Sequence, residues 1–403
     1  MTFQQVIDKY RKIAFSEHDK GSRFERLMQA YLKTDPKYAY LFKNVWLWDE
    51  FPGKVDLGGT DTGIDLVALT HEGDYWAIQC KCYQEDSIID KPAVDTFLAT
   101  SSRVFKNEQM QTTRFAHRLW ISTTNKWGSN ATEAIHNQHP PVIRINLFDL
   151  IEAPVDWKKI EAGVHGEAAR TPKKTLRPHQ KEALDRVHEY FKEADRGKLI
   201  MACGTGKTFN ALRIAEHETD GKGLILFLVP SIALLGQSLR EWSADANEPI
   251  NAICICSDPE ISRRRTKNED TDIFSIVDLA LPASTDTDFI LHQFEEIKAK
   301  ALAGMTVVFS TYQSIEVLAR AQKAWMKKGF PAFDLIICDE AHRTTGVSLA
   351  GEDESAFVKV HDGDFIKAKK RLYMTATPRL YSDDVKSKAA QAEAICKQEQ
   401  EVQ

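Results

Sequence analysis

The chain has no apolar run approaching the roughly 18 residues that a membrane span requires, and its first residues, Met1 to Lys9, show no basic segment followed by an apolar one. Neither a transmembrane helix nor a secretory leader is expected, so the sequence reads as cytoplasmic, with no membrane partner. Charge of one sign is also scarce. The net charge is −5, and the balance is even: residues 1–170 carry 21 Lys/Arg against 23 Asp/Glu, and residues 171–403 carry 32 against 35. No half is a bulk polycation, so any contact with nucleic acid must come from local patches and backbone amides. Cysteine is sparse, seven in 403 residues. Cys80/Cys82 and Cys254/Cys256 are C-x-C pairs on expected strands with no second pair at zinc-site spacing. They do not read as a structural metal site, and Cys203, Cys254, Cys256 and Cys338, inside apolar strand-like runs, are expected to be reduced, buried thiols.

What is present is the composition of a soluble globular protein, 43% hydrophobic and 28% charged, and a length suited to two or three domains. The most informative stretch is Met201-Ala-Cys-Gly-Thr-Gly-Lys-Thr208. It lies between an apolar segment ending at Ile200 and an amphipathic one beginning near Phe209, which predicts strand, phosphate loop, helix. Backbone N–H groups of such a loop, around Gly204, Thr205 and Gly206, point at a nucleotide's phosphates, and glycine removes the Cβ that would keep them apart. Lys207 then neutralises phosphate charge, and the Thr208 hydroxyl takes a place on Mg²⁺. Met201 stands where the general pattern has its first glycine.

Beyond the loop, apolar runs at 224–229, 252–256, 306–309, 335–338 and 372–374 alternate with helical stretches, the pattern of a parallel sheet buried on both faces. Ligands bind at the carboxyl ends of such strands. There stand Asp339-Glu-Ala-His342 and Thr375-Ala-Thr377. Asp339 is placed for the Mg²⁺ shell and Glu340 for polarising the attacking water, while the hydroxyls of Thr375 and Thr377 are placed to sense a γ-phosphate. Pro230-Ser231 and Ser310-Thr-Tyr-Gln313 end two further strands and suit the path of a DNA backbone. Gln180, opening a helix at Leu176-Arg-Pro-His-Gln180, carries an amide that can pair with both N6 and N7 of adenine.

The N-terminal region has a different chemistry. A helix over residues 20–32 with one apolar stripe sets Glu25 beside that stripe. Two strands, 64–69 and 75–81, joined by the turn His71-Glu-Gly-Asp74, form an antiparallel hairpin. Asp65 interrupts the first, and Gln79 and Lys81, two apart on the second, share a face. An acid, an amide oxygen and an amine converging there suit a divalent metal beside a phosphodiester. Asp65, the Gln79 side-chain oxygen and the Cys80 carbonyl would ligate it, Lys81 would orient water or stabilise developing charge, and Glu25 would complete the site through water. The bland alternative is a turn-capping Asp65 and an open strand face. Lys81 within Trp76-Ala-Ile-Gln-Cys argues against it, because a solvated lysine is not expected there without a partner. Downstream come a helix over 92–104, a strand at 119–122, a helix from 130 to about 137 and a strand at 142–145. Ser122-Thr-Thr-Asn125 suits either a phosphate contact or an ordinary helix-start loop.

Gly63-Ile-Asp65 followed by Gln79-Cys-Lys81 resembles the PD-(D/E)xK nucleases, in particular the Mrr-like branch, in which the second motif residue is often Gln. Over residues 176–380, the loop 202–208, Pro230-Ser231, Ser310-Thr311, Asp-Glu-Ala-His 339–342 and Thr-Ala-Thr 375–377 resemble, in order and spacing, the first RecA-like domain of superfamily 2 helicases and translocases. That resemblance implies ATP and Mg²⁺ as cofactors. Lys207 and Thr208 bind Mg·ATP, Asp339 and Glu340 run hydrolysis, His342 and the Thr-Ala-Thr segment couple it to movement, and Gln180 contacts adenine. Nuclease and motor in this order resemble the N-terminal portion of type ISP restriction-modification enzymes, relatives of type I systems. The implied activity is Mg²⁺-dependent cleavage of double-stranded DNA coupled to ATP-driven translocation.

The expected architecture is α/β: a mixed-sheet restriction-endonuclease-like domain over 1–151, a linker over 152–175, a RecA-like parallel-sheet domain over 176–388 and a polar tail over 389–403. The linker is read from small and charged residues without sustained periodicity. Ser262-Arg-Arg-Arg-Thr-Lys267 is the densest basic cluster and reads slightly better as a solvated loop than as a DNA contact. Superfamily 2 motors also need a second RecA-like domain that supplies arginine fingers, and restriction-modification relatives add methyltransferase and target-recognition domains. None of these is expected after Pro378, so the chain would be either a fragment or a subunit whose other half is a separate partner chain, and alone it would bind ATP yet hydrolyse it slowly. The alternative function is a truncated ATP- and DNA-binding fragment without catalysis of its own.

Overall fold

The structure is a computed structural model that describes residues 1–58, 63–136, 138–257, 275–299, 303–343 and 358–376. Its strands in chain order are β1 (Phe42–Leu47), β2 (Leu66–Thr70), β3 (Tyr75–Lys81), β4 (Val104–Lys106), β5 (Thr112–Ser122), β6 (Val142–Ile145), β7 (Arg196–Ile200), β8 (Leu224–Val229), β9 (Asn251–Ile255), β10 (Thr306–Thr311), β11 (Phe333–Cys338) and β12 (Ala368–Thr375). The helices are α1 (Phe3–Ile13), α2 (Glu17–Leu32), α3 (Pro36–Ala39), α4 (Lys91–Ser101), α5 (Ser129–Ile135), α6 (Leu147–Ile151), α7 (Trp157–Glu161), α8 (Pro178–Tyr190), α9 (Lys207–Glu218), α10 (Ile232–Asp245), α11 (Thr287–Ala299) and α12 (Ile315–Lys327). None of the described helices is long and apolar enough to cross a membrane.

The N-terminal sheet runs β1-β2-β3-β5-β4, with β6 also on β5. The β2–β3 pair is the antiparallel hairpin expected from sequence, whereas β3, β5 and β6 pair in parallel, which makes the sheet mixed. Alternation along β3 sorts its side chains. Trp76, Ile78 and Cys80 pack with Phe24, Leu27, Met28 and Tyr31 of α2, and Tyr75 and Ala77 pack with Val94 and Phe97 of α4 on the other side. The β5 strand begins seven residues before the apolar run that suggested it, because Arg118 is buried inside the sheet layer. Its guanidinium donates to the Ser101 and Ser102 hydroxyls, both at 2.7 Å, and to the Pro140 carbonyl at 2.8 Å, so no donor group is left facing apolar atoms unmatched.

The second sheet is parallel throughout, in the order β7-β12-β11-β8-β10-β9. Every residue of the central β8, Leu-Ile-Leu-Phe-Leu-Val, is buried. The outermost strand β7 instead exposes Arg196, Lys198 and Ile200 in alternation, and charges on a sheet edge discourage further strand addition.

Residues 152–175 differ from the expected linker. Val155, Trp157, Ile160 and Ala169 are buried in the N-terminal core, and the Trp157 ring stacks on Tyr31 at 5.5 Å. Small and charged neighbours hide these few apolar anchors from a periodicity search. The expected tail at 389–403 and the basic cluster at 262–267 lie outside the described residues.

The two sheets meet at a joint built from the connection between β9 and α11. Its Asp278 forms a buried ion pair with Arg144 of β6, one limb being an Nη2–Oδ2 bond of 2.9 Å. The Tyr38 hydroxyl donates to the Ala280 carbonyl at 3.0 Å, and Arg240 of α10 donates to Asp149 at 3.0 Å. Removing one partner of a buried ion pair leaves the other charge uncompensated, at a cost of about 3–5 kcal/mol. Asp278→Ala is expected to split calorimetric unfolding into separate domain transitions; a single transition at the original temperature would contradict the joint.

Candidate functional site

In the N-terminal domain, Asp65 immediately precedes β2 and continues its ladder, its N–H donating to the Ile78 carbonyl at 2.9 Å and its carbonyl accepting from Trp48 at 2.8 Å. The backbone thereby fixes the carboxylate over the end of β3. Oδ2 accepts from the Cys80 N–H at 2.7 Å and from Gln79 Nε2 at 2.5 Å. Gln79 is buried and its amide nitrogen donates to Asp65, which leaves its side-chain oxygen without a hydrogen bond among the described residues. Half-buried Lys81 closes the strand two residues on.

Glu25 reaches this group from α2. Burial pushes its carboxyl up to about 7; the Asp65 charge adds to the rise and Lys81 opposes it. The four side chains selected from sequence are therefore coupled. A carboxyl whose pKa is higher in the folded than in the unfolded chain contributes stability that is present below the unfolded value near 4.5 and is lost as pH rises through about 7. Glu25→Gln is expected to flatten the decline of melting temperature between pH 5 and 7.5; an unchanged slope would contradict this environment.

The second group surrounds residues 201–208, the expected phosphate loop, at the carboxyl end of β7. Gly204 and Gly206 have φ of +75° and +85°, and a Cβ on Gly206 would stand 2.4 Å from Gln180 Nε2. Met201, in the place of a first glycine, is buried; its N–H donates to the Thr375 carbonyl at 3.1 Å and its sulfur lies 3.3 Å from Asn210 Nδ2. The residue therefore ties the loop to β12 and α9. Lys207 opens α9 and pairs with Glu340 at 2.9 Å. Glu340 lies 3.2 Å from His342 Nδ1, which lies 3.1 Å from the Thr375 hydroxyl. Four expected residues thus form one chain of polar contacts. Glu340 holds φ of +50°, an uncommon conformation for a side-chain-bearing residue, and its N–H donates to Asp339 Oδ1 at 2.9 Å. Burial pushes the Asp339 carboxyl up to about 6, against the lowering effect of that N–H and of Lys207.

Gln180, expected to contact adenine, lies against the loop. Its Oε1 accepts from the Arg177 N–H and its Nε2 donates to the Thr205 carbonyl, both at 2.9 Å, so its amide braces the helix start against the loop. Thr205 directs its hydroxyl to the Ala202 carbonyl at 2.7 Å, and the Thr208 carbonyl accepts from Trp242 Nε1 at 3.0 Å. Thr377 lies outside the described residues. Trp242 and Tyr312, whose hydroxyl donates to the Asp339 carbonyl at 2.9 Å, hold the loop and the acidic turn in place. Trp242 carries no recognisable spacing, since it acts on the loop through a tertiary hydrogen bond, whereas Tyr312 falls within the stretch 310–313 expected beside DNA. Ser122, Thr123 and Thr124 are buried, and the two threonine hydroxyls donate to the carbonyls of Tyr83, Glu85 and Ser87. They brace a loop rather than meet a phosphate. Ser310 is likewise buried and donates to the Ile255 carbonyl.

Residues 33–167 match the restriction endonuclease family of the Mrr catalytic type, and residues 173–380 match the type III restriction enzyme res subunit. The chain belongs to the res-subunit family. Its res-subunit domain follows an Mrr-like endonuclease domain, and a solved relative matches nearly the whole chain. That relative is the ATP-dependent type ISP restriction-modification enzyme LlaBIII bound to DNA, 36% identical over 95% of this chain with a TM-score of 0.76. A nuclease-deletion mutant of the type ISP enzyme LlaGI, solved with a DNA substrate mimic, is 43% identical over 52% of this chain with a TM-score of 0.41. The chain spans 23% of the LlaBIII chain and 18% of the LlaGI one. Comparison with curated proteins gave no match.

Proposed function

We propose that the chain is the nuclease and first motor domain of an ATP-dependent DNA restriction enzyme, cleaving phosphodiesters of double-stranded DNA at Asp65, Gln79, Lys81 and Glu25. The observation that carries this reading is the Asp65 carboxylate held by Gln79 and the Cys80 N–H beside Lys81. Asp65 and the Gln79 oxygen are hard donors suited to Mg²⁺, and a bound divalent ion supplies Lewis-acid chemistry to a phosphodiester. Lys81 stabilises charge that develops on the phosphate, and Glu25, with its carboxyl near 7, holds or accepts a proton from water at neutral pH.

In the motor domain the loop amides of Gly204, Thr205 and Gly206 and the Lys207 ammonium bind ATP phosphates, and Thr208 and Asp339 hold its Mg²⁺. Glu340 orients the attacking water, and the contacts from Glu340 through His342 to Thr375 carry the change on hydrolysis to β12. Gln180 reads adenine by exchanging its bond to Thr205 for the base. A separate chain carrying a second RecA-like domain and methyltransferase and specificity domains is the partner this reading implies. Supercoiled plasmid incubated with the purified chain and Mg²⁺, with and without ATP, is expected to be nicked or linearised. Intact plasmid at high enzyme excess, together with ATP binding, would leave the reading of a binding fragment.

A further inference from the structure

Away from both sites, the last turn of α9 faces the last turns of α8 on the outside of the second sheet. Glu218 has a buried side chain (3% exposed) and directs Oε1 to two imidazoles, His188 Nδ1 at 2.9 Å and His217 Nδ1 at 3.5 Å. The two rings stand nearly perpendicular with centroids 4.4 Å apart, and one donor atom from each of the three residues falls within 4.8 Å of the others. Lys370 of β12 binds the other carboxylate oxygen at 2.7 Å. It fixes the carboxylate and leaves Oε1 to the histidines.

We propose that His188, His217 and Glu218 bind a divalent transition cation of the zinc type. Tetrahedral ligands about 2.0–2.1 Å from such an ion stand roughly 3.3–3.5 Å apart, so these donors need only small shifts to enclose one. Two imidazoles and a carboxylate select a borderline cation over Mg²⁺, which prefers an all-oxygen octahedron. The histidine side chains are 38% and 46% exposed, which gives the ion access and leaves solvent for its fourth position. Lys370 takes the part of an outer partner that orients the carboxylate. A cation here ties together the far ends of α8 and α9, the two helices whose first turns carry Gln180 and Lys207, and so stiffens the frame of the expected phosphate loop from a site that touches no nucleotide.

Co²⁺ added to the full chain in saturating Mg²⁺, which fills the oxygen-rich sites, is expected to give visible absorption that saturates at one equivalent and is displaced by Zn²⁺. His188→Ala and His217→Ala should each weaken binding by at least about tenfold, since even outer partners of a metal change affinity by that much. His165→Ala, an exposed histidine elsewhere, should leave it unchanged. Melting temperatures of all three variants in EDTA should equal that of the unaltered chain, which separates ligand loss from misfolding. Absorption that is absent, or that persists at equal affinity in both His188→Ala and His217→Ala, would overturn the proposal.

Discussion

Asp65→Asn is expected to abolish DNA cleavage, lowering the rate by roughly 10³-fold or more, while ATP binding and the melting temperature stay close to those of the unaltered chain. The size follows from what the carboxylate does. A cation acting on a phosphodiester contributes several kcal/mol of transition-state stabilisation, and each 1.4 kcal/mol is about tenfold. Asparagine keeps the shape, so the backbone bonds that place residue 65 survive, but its neutral oxygen binds a hard cation poorly. Its NH₂ can also displace the Gln79 amide that donates 2.5 Å from Oδ2. Lys81→Ala should cost about 10²–10³-fold, as removal of a group that stabilises developing charge does elsewhere. A plasmid-nicking time course at fixed Mg²⁺ measures both. Cleavage by Asp65→Asn within threefold of the original would place the chemistry at another site.

Glu340→Gln should separate nucleotide binding from hydrolysis. Turnover is expected to fall by about 10²–10⁴-fold, the usual contribution of a positioned acid–base group, with ATP affinity kept or raised. The direction on affinity comes from the 2.9 Å pair with Lys207: a glutamine holds the ammonium less firmly, so the lysine turns to phosphate at lower cost. Lys207→Ala should do the reverse and weaken ATP by roughly ten- to a hundredfold, the range for a hydrogen bond to a charged group. Fluorescent-nucleotide titration and phosphate release in the presence of duplex DNA measure the two effects separately. Equal loss of binding in both variants would mean that Glu340 serves the fold of the loop rather than the reaction.

The residues of both sites were legible because each serves a local constraint. The glycines at 204 and 206 need positive φ, Lys207 must open a helix, and Gln79 and Lys81 must share a strand face. Sequence spacing reports such constraints directly. The long parallel strands were legible for the same reason, since burial on both faces leaves no polar position in β8. What stayed hidden depends on distant partners. The beginning of β5 is masked by Arg118, whose burial makes sense only once Ser101, Ser102 and Pro140 surround it. The packed course of residues 152–175 rests on a few anchors such as Trp157, and the brace from Gln180 to Thr205 spans 25 residues and has no local pattern.

The joint at Asp278 also decides how the protein can be divided. Residues 277–280 belong by connectivity to the motor sheet, yet Val277 and Ala280 are packed in the two cores of the nuclease domain and Asp278 neutralises Arg144. A cut at residue 175 would leave the motor half displaying an apolar loop with an unmatched carboxylate, and the nuclease half with an unmatched Arg144 guanidinium where that loop had been. Each half would then tend to recover its counterpart in solution, so the two pieces expressed from separate genes should reassemble without a covalent link, and either piece alone should be prone to aggregate.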